Sequence, residues 1–120
     1  MLAEVTSREP AHDRSVVRDP EVRLESDFTA SGWVVEQVLQ VMLEGARNTR
    51  HHAQARSATI RAVTSGRSVR ITIDDDGVGF PPATPPPWSI ASRVSELGGR
   101  CAVVDDGRPG AHVEIEMPSR

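Results

Sequence analysis

Three consecutive carboxylates followed by two glycines spaced by one mark the chain at Asp74-Asp75-Asp76-Gly77-Val78-Gly79-Phe80. An alternating apolar run, Val69, Ile71 and Ile73, leads into them and reads as a strand. Such a strand delivers a carboxylate to the edge of a sheet. The glycines let the backbone turn sharply and come close to whatever that carboxylate holds. Taken alone, Asp-Gly after a strand is an ordinary turn. A second group lies upstream: Glu44 and Asn48 are four apart, and His51 and His52 follow Glu44 at seven and eight. On a helix these spacings share one face. Val34, Val35, Val38, Val41, Met42 and Ala46 form the apolar face opposite. A polar helix stripe of this kind is commonly a solvated surface; paired with the acidic strand end, it becomes a candidate ligand site. A metal held by His51 and His52 is a poor reading, because adjacent side chains on a helix diverge by about 100° and no third ligand is evident.

The elements that must position these groups can be read in order. Residues 1–20 are charged, lack periodicity and contain Pro10 and Pro20, as expected of a loose or disordered tail. The domain is expected over residues 21–120. It opens with a weak strand at Val22–Glu25, and Ser31 is the expected N-cap of a helix running to about His52. Ala58–Val63 alternates as a strand, Thr64–Arg67 makes a hairpin connection, and Ser68–Asp74 returns. The stretch Pro81-Pro82-Ala83-Thr84-Pro85-Pro86-Pro87 should be extended and stiff. A second helix is expected over Trp88–Leu97, ended by Gly98-Gly99. Cys101–Val104, a turn at Asp105-Asp106-Gly107 and a last strand follow; there Ala111, Val113, Ile115 and Met117 alternate with His112, Glu114 and Glu116. This order predicts an α+β two-layer sandwich: a mixed, mostly antiparallel five-stranded sheet with helices packed on one face.

Composition narrows the chemistry. The 120 residues suffice for one compact domain with a modest core. The aromatic residues are Phe28, Trp33, Phe80 and Trp88, so Val, Ile, Leu and Ala must supply most of that core. Net charge is −3, with no basic block, which does not suggest a nucleic-acid partner. There is no Lys, which excludes a Walker P-loop and a protein-kinase-like strand lysine. Cys101 is the single cysteine and cannot form an intrachain disulfide, as suits a reducing compartment. With no signal-peptide core and no apolar run long enough to span a bilayer, the expectation is a cytoplasmic protein without membrane contact.

At this point the chain resembles the ATP-binding catalytic domain of bacterial sensor histidine kinases, a branch of the Bergerat-fold superfamily that includes gyrase-type and chaperone-type ATPases. The segment Glu44–Ala53 looks like the family's N box, Asp75–Phe80 looks like its first glycine box, and Leu97-Gly98-Gly99 with the terminal hairpin is also similar. The resemblance implies ATP and Mg2+ as ligands. By the family pattern Asp75 accepts a hydrogen bond from the adenine amino group, and Gly77 and Gly79 let the backbone approach purine and sugar. Asn48 matches the magnesium-ligating Asn, whose amide oxygen suits a hard cation that keeps several waters. Glu44 matches an acidic position that orients a magnesium-bound water or assists the phosphoryl acceptor. His52 is expected to pack near the phosphates. His51 stands where relatives carry a phosphate-contacting Lys or Arg, with Arg47 or Arg50 as substitutes.

Two departures bear on activity. Relatives close a Gly-x-Gly lid over the triphosphate; here that stretch is Pro85-Pro86-Pro87-Trp88, which has no amide hydrogens to give at its prolines and little freedom to flex. Weaker triphosphate binding and a more open site are expected, with Trp88 anchored on the sheet in preference to covering the nucleotide. The chain also has no room for the helical hairpin that carries the acceptor histidine, and His12-Asp13 sits too close to the first strand to serve. The resemblance therefore implies transfer of the γ-phosphoryl group to a histidine on a separate helical acceptor, supplied by another chain or by a missing segment of a longer kinase, which would pass it to a response regulator. The alternatives are a degenerate nucleotide-binding or docking module without kinase activity and, third, a serine kinase similar to anti-sigma factors.

Overall fold

The computed structural model of the chain describes residues 21–52, 55–79 and 86–120, and at 51 and 52 the backbone alone. The expected N-terminal tail, Phe80, and the prolines at 81, 82 and 85 lie outside the described residues. Strands β1 (Glu21–Asp27), β2 (Ser57–Ser65), β3 (Ser68–Asp75), β4 (Arg100–Val103) and β5 (His112–Pro118) form one sheet. Its order is β1-β2-β3-β5-β4. The β1–β2 pair is parallel, with helix α1 (Gly32–His52) as its crossover, and every other pair is antiparallel. Helix α1 packs on β2 and β3, and helix α2 (Trp88–Glu96) packs on β4, β5 and α1. The expected mixed sheet with helices on one face is the architecture found.

Strand alternation sorts the side chains. Val22, Ile60, Ala62, Val69, Ile71, Ile73, Val113, Ile115 and Met117 turn toward the helices and meet Val34, Val38, Val41, Met42, Ile90 and Val94 in one core. The opposite face is charged and solvated: Arg61 pairs with Glu25 at 2.7 Å, Arg100 with Glu116 at 3.3 Å and Arg70 with Glu114 at 3.5 Å. Exposed pairs of this kind add little stability, and their chief effect is to keep the face soluble.

Several boundaries move for physical reasons. The first strand is seven residues long and pairs with β2 along its whole length. The hairpin tightens to Gly66-Arg67 between the paired Ser65 and Ser68, with Gly66 at φ 60. Ser31 begins α1 through its carbonyl, which accepts from the N–H groups of Val34 and Val35. Its hydroxyl donates to the Ser119 carbonyl at 3.4 Å, so the side chain stitches the helix start to the C-terminal segment. Helix α2 stops at Glu96 as the glycines predict. Gly98, at φ 79, donates to the Ser95 carbonyl and Gly99 to that of Val94, the two bonds of a Schellman ending.

Trp88 corrects an expectation. It is 81% exposed and does not anchor the sheet. Ile90 and Val94 take the buried positions of α2, and a residue two before Ile90 points about 200° away around the helix. Cys101 is half-buried, and burial pushes its thiol up to about 11, so it stays protonated and inert at neutral pH.

Candidate functional site

The two halves of the site meet because of topology. Helix α1 returns antiparallel to β1, β2 runs with β1, and β3 runs against β2; α1 and β3 therefore point the same way. They touch at Gly45, where an added Cβ would lie 2.7 Å from Ile73 Cδ1. Glycine there lets the helix settle against the strand. Beyond that contact the helix advances about 1.5 Å per residue and the strand about 3.3 Å. Asn48, three residues on, and Asp75, two residues on, thus emerge at the same end of the sheet. His51 and His52 close α1 at that end; their side chains lie outside the description.

The three aspartates have three different roles. Asp75 is on the helix-facing side and is only 9% exposed. Its Oδ1 accepts from the backbone N–H of Gly77 and of Ala111, both at 2.9 Å. Asp76 faces outward, with Oδ1 accepting from the N–H groups of Arg56 at 2.8 Å and Ser57 at 3.0 Å and Oδ2 from the Ser57 hydroxyl at 3.1 Å. Asp74, also outward, meets His112 Nδ1 at 2.6 Å. The middle carboxylate is thus the inward one.

The Ser57 N–H, followed by the smaller effects of the Arg56 N–H and the Ser57 hydroxyl, holds the Asp76 carboxyl below its ordinary value of 3.8. A lowered folded-state value stabilises the protein above the ordinary value and loses that effect as pH falls through the lowered one. Asp76→Ala is therefore expected to cost about 1 kcal/mol at pH 7, a surface-discounted figure for bonds to a charged acceptor. Denaturant titrations at pH 7 and below pH 3 should show the gap between variant and wild type closing in acid; a gap independent of pH would contradict the assignment.

Glu44 and Arg47 form an i,i+3 ion pair at 3.2 Å, which places a cation beside the acidic position. Asn48 Nδ2, a donor, is buried without a hydrogen-bond partner among the described residues. Val78, between the two site glycines, is 77% exposed. Gly79 adopts φ 80, and a Cβ there would stand 3.0 Å from the Gly110 carbonyl oxygen.

That contact reveals residues the sequence does not flag. Gly110 adopts φ 90 and lies so close to β3 that a Cβ would overlap the Asp75 carbonyl. Ala111 accepts from the Asp75 N–H at 3.0 Å while donating to its side chain. Alternation puts His112 on the solvated side of the last strand. It keeps that side but is only 7% exposed, because Asp74 and the carbonyl of Pro109 enclose its ring. The one available signal is Pro109-Gly110 immediately before the strand.

No family model matches the chain. The histidine-protein kinase/phosphatase UhpB of Salmonella typhimurium is 25% identical over 121 residues, covering 89% of this chain and 24% of its own length. The chain thus spans about a quarter of that relative. Among solved structures, the ATP-binding domain of PrrB from Mycobacterium tuberculosis superposes with a TM-score of 0.60 at 20% identity, covering 87% of this chain and 77% of that one. The histidine kinase domain of the blue-light-activated kinase of Erythrobacter litoralis gives 0.59 at 23% identity, covering 80% of this chain and 52% of that one. The chain has the fold of the ATP-binding domain of sensor histidine kinases.

Proposed function

We propose that this chain is an ATP-binding catalytic domain of histidine-kinase type, which transfers the γ-phosphoryl group to a histidine on a helical acceptor supplied elsewhere. The observation that carries the reading is the Asp75 carboxylate. It is nearly buried, and both of its backbone partners converge on Oδ1. Oδ2 is then assigned to the ligand, as a fixed acceptor for the adenine amino group. Guanine would present a carbonyl to the same oxygen and be repelled. Gly77 and Gly79 bring backbone close to the purine and sugar.

The α1 residues face the phosphate side in this reading. Asn48 would offer its amide oxygen to a magnesium ion that arrives with the nucleotide, whereas its buried Nδ2, a donor, is no metal ligand and is left for an acceptor such as a phosphate oxygen. A magnesium ion held there would supply positive charge to offset that of the phosphates. Arg47 adds a cation near them. Glu44, held by Arg47, orients an attacking imidazole or a water. His51 and His52 close the phosphate end of the helix. The protein supplies orientation and charge, which account for most of phosphoryl-transfer catalysis. The acceptor and a response regulator would belong to other polypeptide segments or chains, within the cytoplasm. Among the described residues no helix is long and apolar enough to cross a membrane.

A second reading, a docking module that no longer does chemistry, is favoured by Pro86-Pro87 ahead of α2. Pro87 is the N-cap of α2 and makes no side-chain cap bond. The test is calorimetric titration of the chain with magnesium and a non-hydrolysable ATP analogue, beside the matching GTP analogue. The expected result is adenine binding, with the guanine analogue at least about tenfold weaker. No heat from either analogue at millimolar concentration would overturn the nucleotide reading and leave the docking module.

A further inference from the structure

We infer that His112 is a positioning residue for the nucleotide site, fastening the loop that aims the Asp75 carboxylate. The inference rests on the nucleotide reading of Asp75. The imidazole bridges two acceptors on different segments: Nδ1 lies 2.6 Å from Asp74 Oδ1 on β3, and Nε2 lies 2.8 Å from the carbonyl oxygen of Pro109. The segment tied down in this way is Pro109-Gly110-Ala111, whose last residue donates its N–H to Asp75 Oδ1 at 2.9 Å. Gly110 in the same segment backs onto both the Asp75 carbonyl and Gly79.

A chain of contacts therefore runs from the ring to the groups assigned to adenine and sugar. Asp74 and His112 are register partners on adjacent strands, so the sheet itself fixes one end of the bridge. The His112 carbonyl accepts from the Val104 N–H at 2.8 Å, which fixes the other end of the loop. Arg108 stands 4.0 Å from Asp74 and 2.6 Å from Asp106, so these two charged side chains of the loop are drawn to the same corner. A carbonyl and a carboxylate only accept, so a ring nitrogen that carries hydrogen can donate to the one it faces. Neither Asn nor Gln can span that gap. In His112→Asn the amide would reach Asp74 in place of Nδ1, and in His112→Gln it would reach Pro109 in place of Nε2.

Among the described residues, the loop's direct bonds to Asp75 are those of Ala111, so loosening the bridge should blur the direction of Oδ1 and with it that of Oδ2. The expected consequence is loss of selectivity more than loss of binding. His112→Ala should lower the preference for an ATP over a GTP analogue at least about tenfold, in line with the loss of a positioned polar contact, and speed amide exchange at Ala111 by about the same factor. His112→Asn and His112→Gln should fall between. Should His112→Ala fail to fold, Asp74→Ala provides the second variant, since it removes one anchor from a partly exposed position and should give the same two effects.

A purely structural role would weaken both analogues by one common factor and leave their ratio intact; that outcome, in folded variants, overturns the inference. Unchanged exchange at Ala111 in His112→Ala and Asp74→Ala also overturns it, and does so without reference to any ligand. A wild type that binds neither analogue overturns the nucleotide reading itself, and the positioning role with it.

Discussion

Asp75→Asn should fold as the wild type does and bind an ATP analogue at least about a hundredfold more weakly, a loss of roughly 2.7 kcal/mol. The separation of fold from recognition follows from which oxygen does what. Oδ1 accepts from two backbone N–H groups, those of Gly77 and Ala111. An Asn amide can keep its own oxygen in that place, since both neighbours are donors, and must then present its NH2 where Oδ2 stood. The adenine amino group, also a donor, would meet it head on. Leaving buried donors unsatisfied costs about 1–3 kcal/mol for each group. Guanine's carbonyl would now face a donor, so the variant should shift its preference toward the GTP analogue. Asp75→Ala serves as the contrast, because it strips both backbone bonds and should lower stability as well as binding. Calorimetry on both analogues, with denaturant titrations alongside, decides the matter. An Asn variant that binds both analogues as the wild type does would remove Asp75 from the adenine site.

The inward aspect of Asp75 is legible in the sequence because it continues the alternation of Val69, Ile71 and Ile73, all buried in the folded chain. The roles of its neighbours are not. Asp74, Asp75 and Asp76 look alike in sequence, and what distinguishes them is a set of partners far along the chain: Arg56 and Ser57 for one, His112 for another. Local signals do well where the physics is local. The glycine pair after α2 ends the helix with both bonds expected of it, and the Glu44 and Asn48 spacing carries over unchanged onto α1. Trp88 misleads because an aromatic ring in a chain with few of them invites burial, whereas the phase of α2 is set by Ile90 and Val94. Glycine placement is half legible. Gly77 and Gly79 announce themselves beside carboxylates, but Gly45 and Gly110 matter through close approach to Ile73 and Asp75, which only the folded chain brings near.

Gly110 yields the second large effect. Gly110→Ala is expected to cost about 2–5 kcal/mol, combining a left-handed backbone with overpacking. The residue sits at φ 90, outside the comfortable range of an L side chain. Its Cβ would overlap the carbonyl of Asp75 and come within 3.3 Å of the Asp76 Cα, and backbone cannot swing aside as the end of a side chain can. Retreat of the loop would break the two bonds between Asp75 and Ala111, so relief of the clash means giving up the Asp75 geometry. Gly107 offers an internal control: it has φ 82 and nothing within 4 Å of its Cβ position. Gly107→Ala should therefore cost only about 1 kcal/mol, the backbone penalty alone. For a domain whose total stability is expected to be about 5–15 kcal/mol, the difference separates a folded variant from a marginal one. Denaturant midpoints of the two variants, measured side by side, give the test. Equal costs at the two positions would mean that the loop does not press on β3, and the account of how Asp75 is aimed would fail with it.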